Sequence, residues 1–267
     1  MMRIAAVRLW LFFLILGTIL WSGGCSPTIN KQALGPDEYF EYAKKKFDEE
    51  DYFEAATEFT VIVLKFSGNP VVDDAQYYLA ESHYKMKEYL VAIAEYEKLV
   101  QDYPESPYVP LAQFKIGMAY QELSLRPELD QEYTLKAIRQ FQRFIEEYPY
   151  HELKGNAEKF IQELRAKLGK KKLMAAEIYR KMGHYRAAII YYDIVLQEYY
   201  DTPSAAEALF WKAECQYQLH QYQEARATFT AFIQKYSQHK RAGKARERIE
   251  EITNLVAATE NEKAEGR

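Results

Sequence analysis

The strongest constraint on this chain is an internal repeat that runs through most of its length. An alanine recurs with one aromatic residue three positions before it and another four positions after it, at Tyr52/Ala55/Phe59, Tyr89/Ala92/Tyr96, Tyr185/Ala188/Tyr192 and Tyr222/Ala225/Phe229. A fifth copy, at Ala137 and Phe141, has Thr134 at the first aromatic position. Eleven residues after each alanine comes another aromatic residue: Phe66, Tyr103, Tyr148, Tyr199 and Tyr236. Such fixed offsets predict a repeat protein rather than a set of unrelated helices.

A second small residue precedes the repeated alanine by twelve positions in four copies, at Ala43, Ala80, Ala176 and Ala213. Small side chains at both positions let two antiparallel helices approach closely, and the aromatic rings fill the gaps around the crossing. This pattern resembles the tetratricopeptide repeat, in which each unit is a pair of helices joined by a tight turn. The resemblance implies an all-α fold, an α-solenoid of about five repeats. The chain has few residues that interrupt helices, with 9 Pro and 11 Gly among 267.

Unequal spacing shows where the array departs from regularity. Successive repeated alanines are 37, 45, 51 and 37 residues apart (92 − 55, 137 − 92, 188 − 137 and 225 − 188). The first surplus predicts a loop near 123–134, and the second predicts an extended helix over 153–182. A charged helix after the last repeat predicts a polar cap. We therefore expect a repeat domain over 37–258, with repeats at about 37–69, 73–106, 110–150, 169–202 and 206–239, a C-terminal capping helix at 241–258 and a disordered tail at 259–267.

The first residues have the composition of a secretory signal. Arg3 and Arg8 give a basic start, and the run Leu9 to Trp21 is apolar over 13 residues, interrupted only at positions 17 and 18. Because a helix needs about 20 apolar residues to cross a bilayer, this run favours a cleaved signal peptide at 1–24, with a permanent signal anchor as the alternative. Residues 25–36 show no helical period and predict a flexible tether.

The small residues Ser22, Gly23 and Gly24 before Cys25 resemble the bacterial lipobox. The resemblance implies that Cys25 carries a covalent lipid, and no other cofactor is expected. The third position before the cysteine is usually Leu, and Ser22 departs from that pattern. Ser26 after the cysteine is compatible with the outer membrane. The count allows a disulfide between Cys25 and Cys215, but the lipid accounts for Cys25 and leaves Cys215 as an ordinary buried thiol.

The sequence gives little sign of chemistry. No two of its 5 histidines are spaced i, i+4, and it contains no phosphate-binding loop and no nucleophile elbow. We therefore expect no enzyme and no metal site. The formal net charge of −4 gives no basic bias toward nucleic acid. Two basic clusters, at 165–172 and 240–248, are expected to be solvated helix surface, with lipid phosphates or an acidic partner as the alternatives.

The signal, the lipobox and the order of the repeats together resemble outer-membrane assembly lipoproteins of the BamD type. The phrases that carry this resemblance are residues 101–108, 137–141 with 147–149, and 176–185 leading to 199–203. The resemblance covers about residues 20 to 250. Repeat one departs from it, because Phe66-Ser67-Gly68-Asn69 replaces the aromatic-proline pair that follows repeats two and three.

The resemblance implies a lipid-anchored subunit on the periplasmic face of the outer membrane. Its C-terminal repeats would dock a barrel-inserting protein of the assembly complex, which can hold further subunits, and its N-terminal repeats would contact unfolded outer-membrane proteins. Two alternatives stay open. One is another periplasmic repeat lipoprotein that serves pilus or envelope-division machinery, and the other is an enzyme with repeats appended.

Candidate binding residues follow from the face of the first helix in each repeat, which lines the inner surface of such arrays. In repeats one and two, five positions are expected to face a bound peptide: Phe40, Lys44, Tyr77, Glu81 and Tyr84. Three of these are aromatic, and exposed rings in a groove suit unfolded segments rich in Phe and Tyr. The alternative is that these rings pack against the neighbouring repeat.

Overall fold

The computed structural model describes residues 30–265, and the proposed signal peptide and Cys25 lie outside this range. The described part is helical throughout, with no strand and one short 3₁₀ helix, Lys31–Ala33. Its α-helices are α1 Pro36–Asp48, α2 Tyr52–Lys65, α3 Val71–Lys85, α4 Tyr89–Asp102, α5 Val109–Leu123, α6 Glu132–Glu147, α7 Lys154–Lys181, α8 Tyr185–Glu198, α9 Ser204–Gln218, α10 Tyr222–Lys235 and α11 Ala242–Glu265. The predicted all-α solenoid is therefore confirmed.

The helices stack in chain order. Each α-helix packs against the one before it, and the first helices of adjacent repeats also touch, α1 on α3 and α7 on α9. The repeated alanines of the sequence pattern lie at these crossings, and Ala55, Ala92, Ala188 and Ala225 have no exposed surface. Large rings close the same spaces, since Phe59, Tyr96, Tyr192 and Phe229 are also fully buried. Alternating small and large residues thus give each helix pair a dense core.

The turn inside a repeat requires a left-handed backbone. Residues Glu50, Lys87 and His220 have φ of 63°, 63° and 59°, and Gly183 at the equivalent turn of repeat four has φ of 77°. Only glycine adopts this conformation without steric cost, because it has no Cβ. Repeat four therefore has the least strained of these four turns.

Repeat three depends on a glycine for a different reason, the close approach of α5 to α6. Gly117 of α5 is buried, and a Cβ added there would lie 2.7 Å from Cε1 and 2.8 Å from Cδ1 of Phe141. Phe141 itself has no exposed surface, so its ring has little room to move away. Gly117 therefore takes the place that alanine holds in the first helix of the other repeats.

We expect Gly117→Ala to lower the free energy of unfolding by about 1–3 kcal/mol, because the new methyl overpacks the α5–α6 crossing. The matched control is Gly155→Ala in α7, where a Cβ would meet nothing within 4 Å. There the higher helix propensity of alanine should stabilise the protein by up to about 1 kcal/mol. Denaturant titration of both variants measures the difference. Equal stability of the two would contradict the close approach at Gly117.

Helix α7 links repeats three and four and spans 28 residues, as the surplus in spacing predicted. Its first half packs through Leu164 and Leu168 on the core that contains Phe141. Its second half packs through Leu173 and Ala176 on the core of repeat four. A helix of this length extends over about 42 Å, so one rigid element belongs to two cores.

Most residues of the two basic clusters are held by partners within the protein. The Arg165 guanidinium donates to both carboxylate oxygens of Asp201, at 2.8 Å each, and to the Glu198 carbonyl. On the same helix, Lys171 donates to the Leu129 carbonyl at 2.7 Å and so holds the loop of repeat three. In the second cluster, Arg241 pairs with Glu207 at 2.9 Å. These side chains are at the surface, as expected, and they are also paired within the protein.

The described part of the tether is docked on repeat one, which corrects the expectation of a flexible segment up to residue 36. The Lys31 ammonium pairs with Glu58 and, at 3.2 Å, with Glu54, while Leu34 packs on the first core. Glu58 is buried and also accepts a hydrogen bond of 2.5 Å from the Tyr39 hydroxyl. A buried carboxylate is costly without partners, so Glu58 favours a bound cation.

This cluster makes the docked segment dependent on pH. Burial raises the pKa of the Glu58 carboxyl, but hydrogen bonds from Lys31 and Tyr39 outweigh burial and hold the pKa below its usual range. Because the folded pKa is depressed, the stabilisation is complete above the unfolded value of about 4.3 and is lost as pH falls through the folded value. Burial, followed by the bond to Glu58, raises the pKa of Tyr39 to about 12, so its hydroxyl stays a donor.

We expect the backbone of residues 31–34 to be ordered at pH 7 and to become mobile as Glu58 is protonated. Glu58→Gln should produce the mobile state already at pH 7, because the amide cannot balance the Lys31 charge and leaves only the more exposed carboxylate of Glu54 as its partner. Nitrogen-15 relaxation of these residues measures the order. Glu128→Gln, which removes an exposed carboxylate in the repeat-three loop, is the control and should change nothing. Unaltered order in Glu58→Gln would show that Leu34 packing alone docks the segment.

Two further expectations concern the C-terminal tail and the thiol of Cys215. Helix α11 runs to Glu265, so the prediction of disorder from residue 259 is wrong for 259–265. The strong helix formers Ala, Glu and Lys, which dominate that stretch, explain the continuation.

Cys215 is a free, buried thiol, and burial raises its pKa to about 12. It is therefore an unreactive core residue.

Candidate protein-binding groove

The candidate groove is the surface formed by the first helices of the repeats, α1, α3, α5, the second half of α7, and α9. The structure distributes the five residues predicted for it over two environments. Tyr77 and Glu81 are buried, with 6% of each residue exposed. Phe40, Lys44 and Tyr84 are partly exposed. The expectation that all five face a bound peptide is therefore wrong for Tyr77 and Glu81.

Tyr77 is buried because the next repeat supplies a ring to cover it. Its ring stacks on Tyr108 with a centroid distance of 4.5 Å and an interplanar angle of 15°. Tyr96 lies on another side, 6.0 Å away. The alternative, in which the rings pack on the neighbouring repeat, is thus the correct one for Tyr77. Phe40 also packs inward, 5.8 Å from both Phe59 and Tyr78, although part of its ring stays exposed.

Glu81 is the centre of a charged cluster between repeats two and three. It accepts hydrogen bonds from the Tyr96 hydroxyl and from the Lys115 ammonium, whose nitrogen lies 2.7 Å from the nearer carboxylate oxygen. The same ammonium lies over the Tyr84 ring, 5.1 Å from its centroid. Burial, followed by the charge of Glu81, raises the pKa of Tyr96 well above its usual value, so its hydroxyl remains a donor. Glu81 therefore holds two repeats together.

Lys44 and Tyr84 keep the exposure that a groove residue needs. The Lys44 ammonium pairs with Asp48 and lies 5.0 Å from the centroid of Tyr78. Tyr84 meets Tyr89 edge to face at 5.4 Å. Together with Tyr78 and Lys115 these side chains form a partly exposed strip of cations on aromatic rings along repeats one to three. Such a strip can bind a chain that offers both apolar and acidic side chains.

The contact between adjacent first helices repeats along the array, and its last copy joins α9 to the capping helix α11. A residue near the end of one first helix meets a residue in the middle of the next in four pairs: Phe47/Tyr78, Tyr84/Lys115, Arg180/Trp211 and Tyr217/Arg248. Within each half of the chain, the paired positions advance by 37 residues (84 − 47, 115 − 78, 217 − 180 and 248 − 211). One pair is purely aromatic and three place a cation on a ring. These junctions set the polar character of the groove.

Sequence reasoning did not single out Tyr78, Lys115, Arg180 or Trp211 as groove residues. The 37-residue offset was available as a signal, because it carries Phe47 onto Tyr84 and Tyr78 onto Lys115. The offset does not show which side chains of one repeat pack against the next repeat. That packing decides which groove residues are buried.

Among residues 30–265, no group of three or more His, Cys, Asp or Glu side chains is arranged to hold a metal ion. Within the same range, no helix combines the length and the apolar character needed to cross a bilayer.

Comparison with protein families gives a match over most of the chain. A family model described as "YfiO: Outer membrane lipoprotein" matches residues 32–228. This is 197 of 267 residues (228 − 32 + 1), and it includes all five repeats up to the middle of α10. No curated protein matches the sequence.

Solved structures with similar folds are repeat proteins. The TPR2AB-domain:pHSP90 complex of yeast Sti1 is 18% identical, with a TM-score of 0.45, covering 83% of this chain and 84% of that one. A tetratricopeptide repeat protein from Parabacteroides merdae is 14% identical, with a TM-score of 0.36 and coverage of 86% and 76%. A thermophilic TPR protein from Thermus thermophilus is 15% identical, with a TM-score of 0.35 and coverage of 82% and 99%.

Proposed function

This chain belongs to the YfiO family of outer membrane lipoproteins, and we propose that it is a lipid-anchored scaffold subunit on the periplasmic face of the outer membrane, in the machinery that assembles β-barrel proteins. The observation that carries the proposal is the family match over residues 32–228, from repeat one to the middle of α10. The lipobox-like sequence before Cys25 and the resemblance to lipoproteins of the BamD type support it.

In this proposal the two halves of the array have separate partners. The C-terminal repeats dock the barrel-inserting protein, and other assembly subunits join the same complex. The N-terminal repeats bind unfolded outer-membrane proteins along the strip that contains Lys44, Tyr78, Tyr84 and Lys115. Partly exposed rings beside cations suit the aromatic and polar residues that alternate in barrel strands. The binding residues differ from the five first expected, because Tyr77 and Glu81 are in the core.

Affinity purification from detergent-solubilised membranes tests the complex. A barrel protein should co-purify in a fixed ratio to this chain, as measured by quantitative mass spectrometry. A tagged outer-membrane lipoprotein of another family, expressed at the same level, controls for co-solubilised membrane proteins. Enrichment of pilus or envelope-division proteins without a barrel protein would replace this proposal by the other scaffold role.

A further inference from the structure

We infer that the junction of repeats four and five is a binding pocket for a carboxylate, supplied by an acidic side chain of a protein lying in the groove, with Arg180 as the residue that binds it. The pocket is a cavity of about 190 Å³ between the end of α7 and α9. Its lining residues are Arg180, Tyr185, Trp211, Glu214, Cys215 and Gln218. This volume is below that of sites for drug-sized ligands, and it suits one short side chain.

The guanidinium of Arg180 is fixed in place by stacking. Its central carbon lies 3.8 Å from the centroid of the Trp211 ring, which is a close cation–π contact. The indole is itself positioned, because its Nε1–H donates to Glu207 at 3.2 Å. A planar fork held flat on a ring presents its N–H groups along its edges, the geometry that carboxylates accept.

Arg180 differs from the other groove cations in having no acidic partner. At the equivalent junctions, Lys115 has Glu81 at 2.7 Å, and Arg248 has Glu214 at 3.0 Å and Glu251 at 2.6 Å. Within residues 30–265, Arg180 takes part in no ion pair at the 4.0 Å limit. The cations of two junctions, Lys115 and Arg248, are therefore neutralised by carboxylates of the protein. Arg180 at the third junction is not, and its charge is available to a ligand.

The polar atoms around Arg180 agree with this reading. The Arg180 guanidinium lies beside the buried Tyr192 hydroxyl and interacts with it, but neither the Arg180 Nε–H nor that hydroxyl completes a hydrogen bond of normal geometry within the protein. The Tyr192 hydroxyl is neutral, so it does not compensate the charge. Buried donors without acceptors are costly, and a carboxylate that enters the cavity can accept from the guanidinium.

Charge selects a monoanion over a dianion. Glu214 lines the same cavity, but its carboxylate is held by the Arg248 guanidinium at 3.0 and 3.3 Å. Arg241 lies 4.7 Å from the centroid of the Trp211 ring and is paired with Glu207. The uncompensated charge of the pocket is therefore one positive charge, that of Arg180. A single carboxylate balances it, whereas a phosphate dianion would bring a second negative charge that is not balanced and lies near Glu214.

Trp211 provides a reporter inside the pocket. The other tryptophans, Trp10 and Trp21, lie in the proposed signal peptide, so the processed lipoprotein has one indole. In detergent micelles, the indole N–H resonance of this protein is followed during titration with acetyl-Ala-Glu-Ala-amide. We expect the Gln analogue of this peptide to bind at least about tenfold more weakly, because charge-assisted hydrogen bonds are lost.

Two more probes identify the source of the carboxylate. Acetyl-Ala-Ala-Ala with a free C-terminus should bind more weakly than the Glu peptide, and inorganic phosphate should not displace that peptide. Tighter binding of the free C-terminus would assign the pocket to chain ends, and displacement by phosphate would overturn the carboxylate assignment.

Variants of Arg180 test the residue itself. Arg180→Gln should abolish the difference between the Glu and Gln peptides, and Arg180→Lys should reduce it, because lysine keeps the charge but loses the planar fork. Arg186→Gln, which removes an exposed arginine from α8, is the control for overall charge and should bind like the parent. Equal binding of the two peptides by the parent, or equal loss in both Gln variants, would overturn the inference.

The inference rests on the proposed function only in placing a partner chain in the groove. The peptide titration needs no partner protein, whereas purification from membranes needs no acidic ligand. Each test can therefore fail without the other.

Discussion

Replacing Tyr77 with alanine should lower the free energy of unfolding by about 3–5 kcal/mol, the range for truncation of a large buried ring. The ring stacks on Tyr108 and touches Tyr96, so its removal leaves a cavity between repeats two and three. Thermal and denaturant unfolding, followed by circular dichroism, measure the loss. The size of the effect decides between the two roles considered for this residue, since a ligand contact would leave stability intact.

Tyr150→Ala is the matched control for Tyr77→Ala. Tyr150 has the same side chain but is 100% exposed in the turn after α6, so its removal should change the unfolding free energy by less than about 0.5 kcal/mol. If Tyr77→Ala is as stable as Tyr150→Ala, the packing of repeat two on repeat three is not as described. Tyr77 would then return to the list of groove residues.

Replacing Cys25 with alanine should release the protein from the membrane completely. The proposed anchor is a set of acyl chains on this residue, and each buried methylene contributes about 0.8 kcal/mol to membrane binding. Fractionation in high salt and intact mass of the parent protein measure attachment and lipid content.

Cys215→Ala is the control, because it removes the other cysteine of the chain. Cys215 is buried at the junction of repeats four and five, so its loss should leave the protein membrane-bound and lipidated. Membrane retention of Cys25→Ala, with a parent mass that shows no lipid, would instead support the signal-anchor alternative. The family match would be unaffected by that result, since it begins at residue 32.

The array and its irregularities were predictable because they depend on residues within one repeat. The offsets between Ala188, Tyr192 and Tyr199 fix a helix pair without reference to neighbours. The long helix also followed from spacing, with 153–182 expected and 154–181 found. Local periodicity was sufficient in these cases because the helix crossing is made by side chains from the same unit.

The environment of the groove residues was not predictable in the same way. Whether Tyr77 is exposed depends on Tyr108, which comes from the turn before α5 in the next repeat. The docking of Lys31 depends on Glu58, a carboxylate within the apolar second helix of repeat one. A carboxylate at an apolar position could have predicted this contact, since a buried carboxylate requires a partner. Contacts between units therefore set burial, and a pattern confined to one unit does not contain them.

Helix α7 has a consequence for how the chain melts. Repeat arrays can lose their units one after another, because each unit touches only its neighbours through separate helices. Here Leu168 and Leu173 lie on one continuous helix but in different cores, so neither half can unravel at this point without breaking the other. The two halves should therefore share a single calorimetric transition, and cleavage within α7 should leave two fragments that each lack a wall of their core.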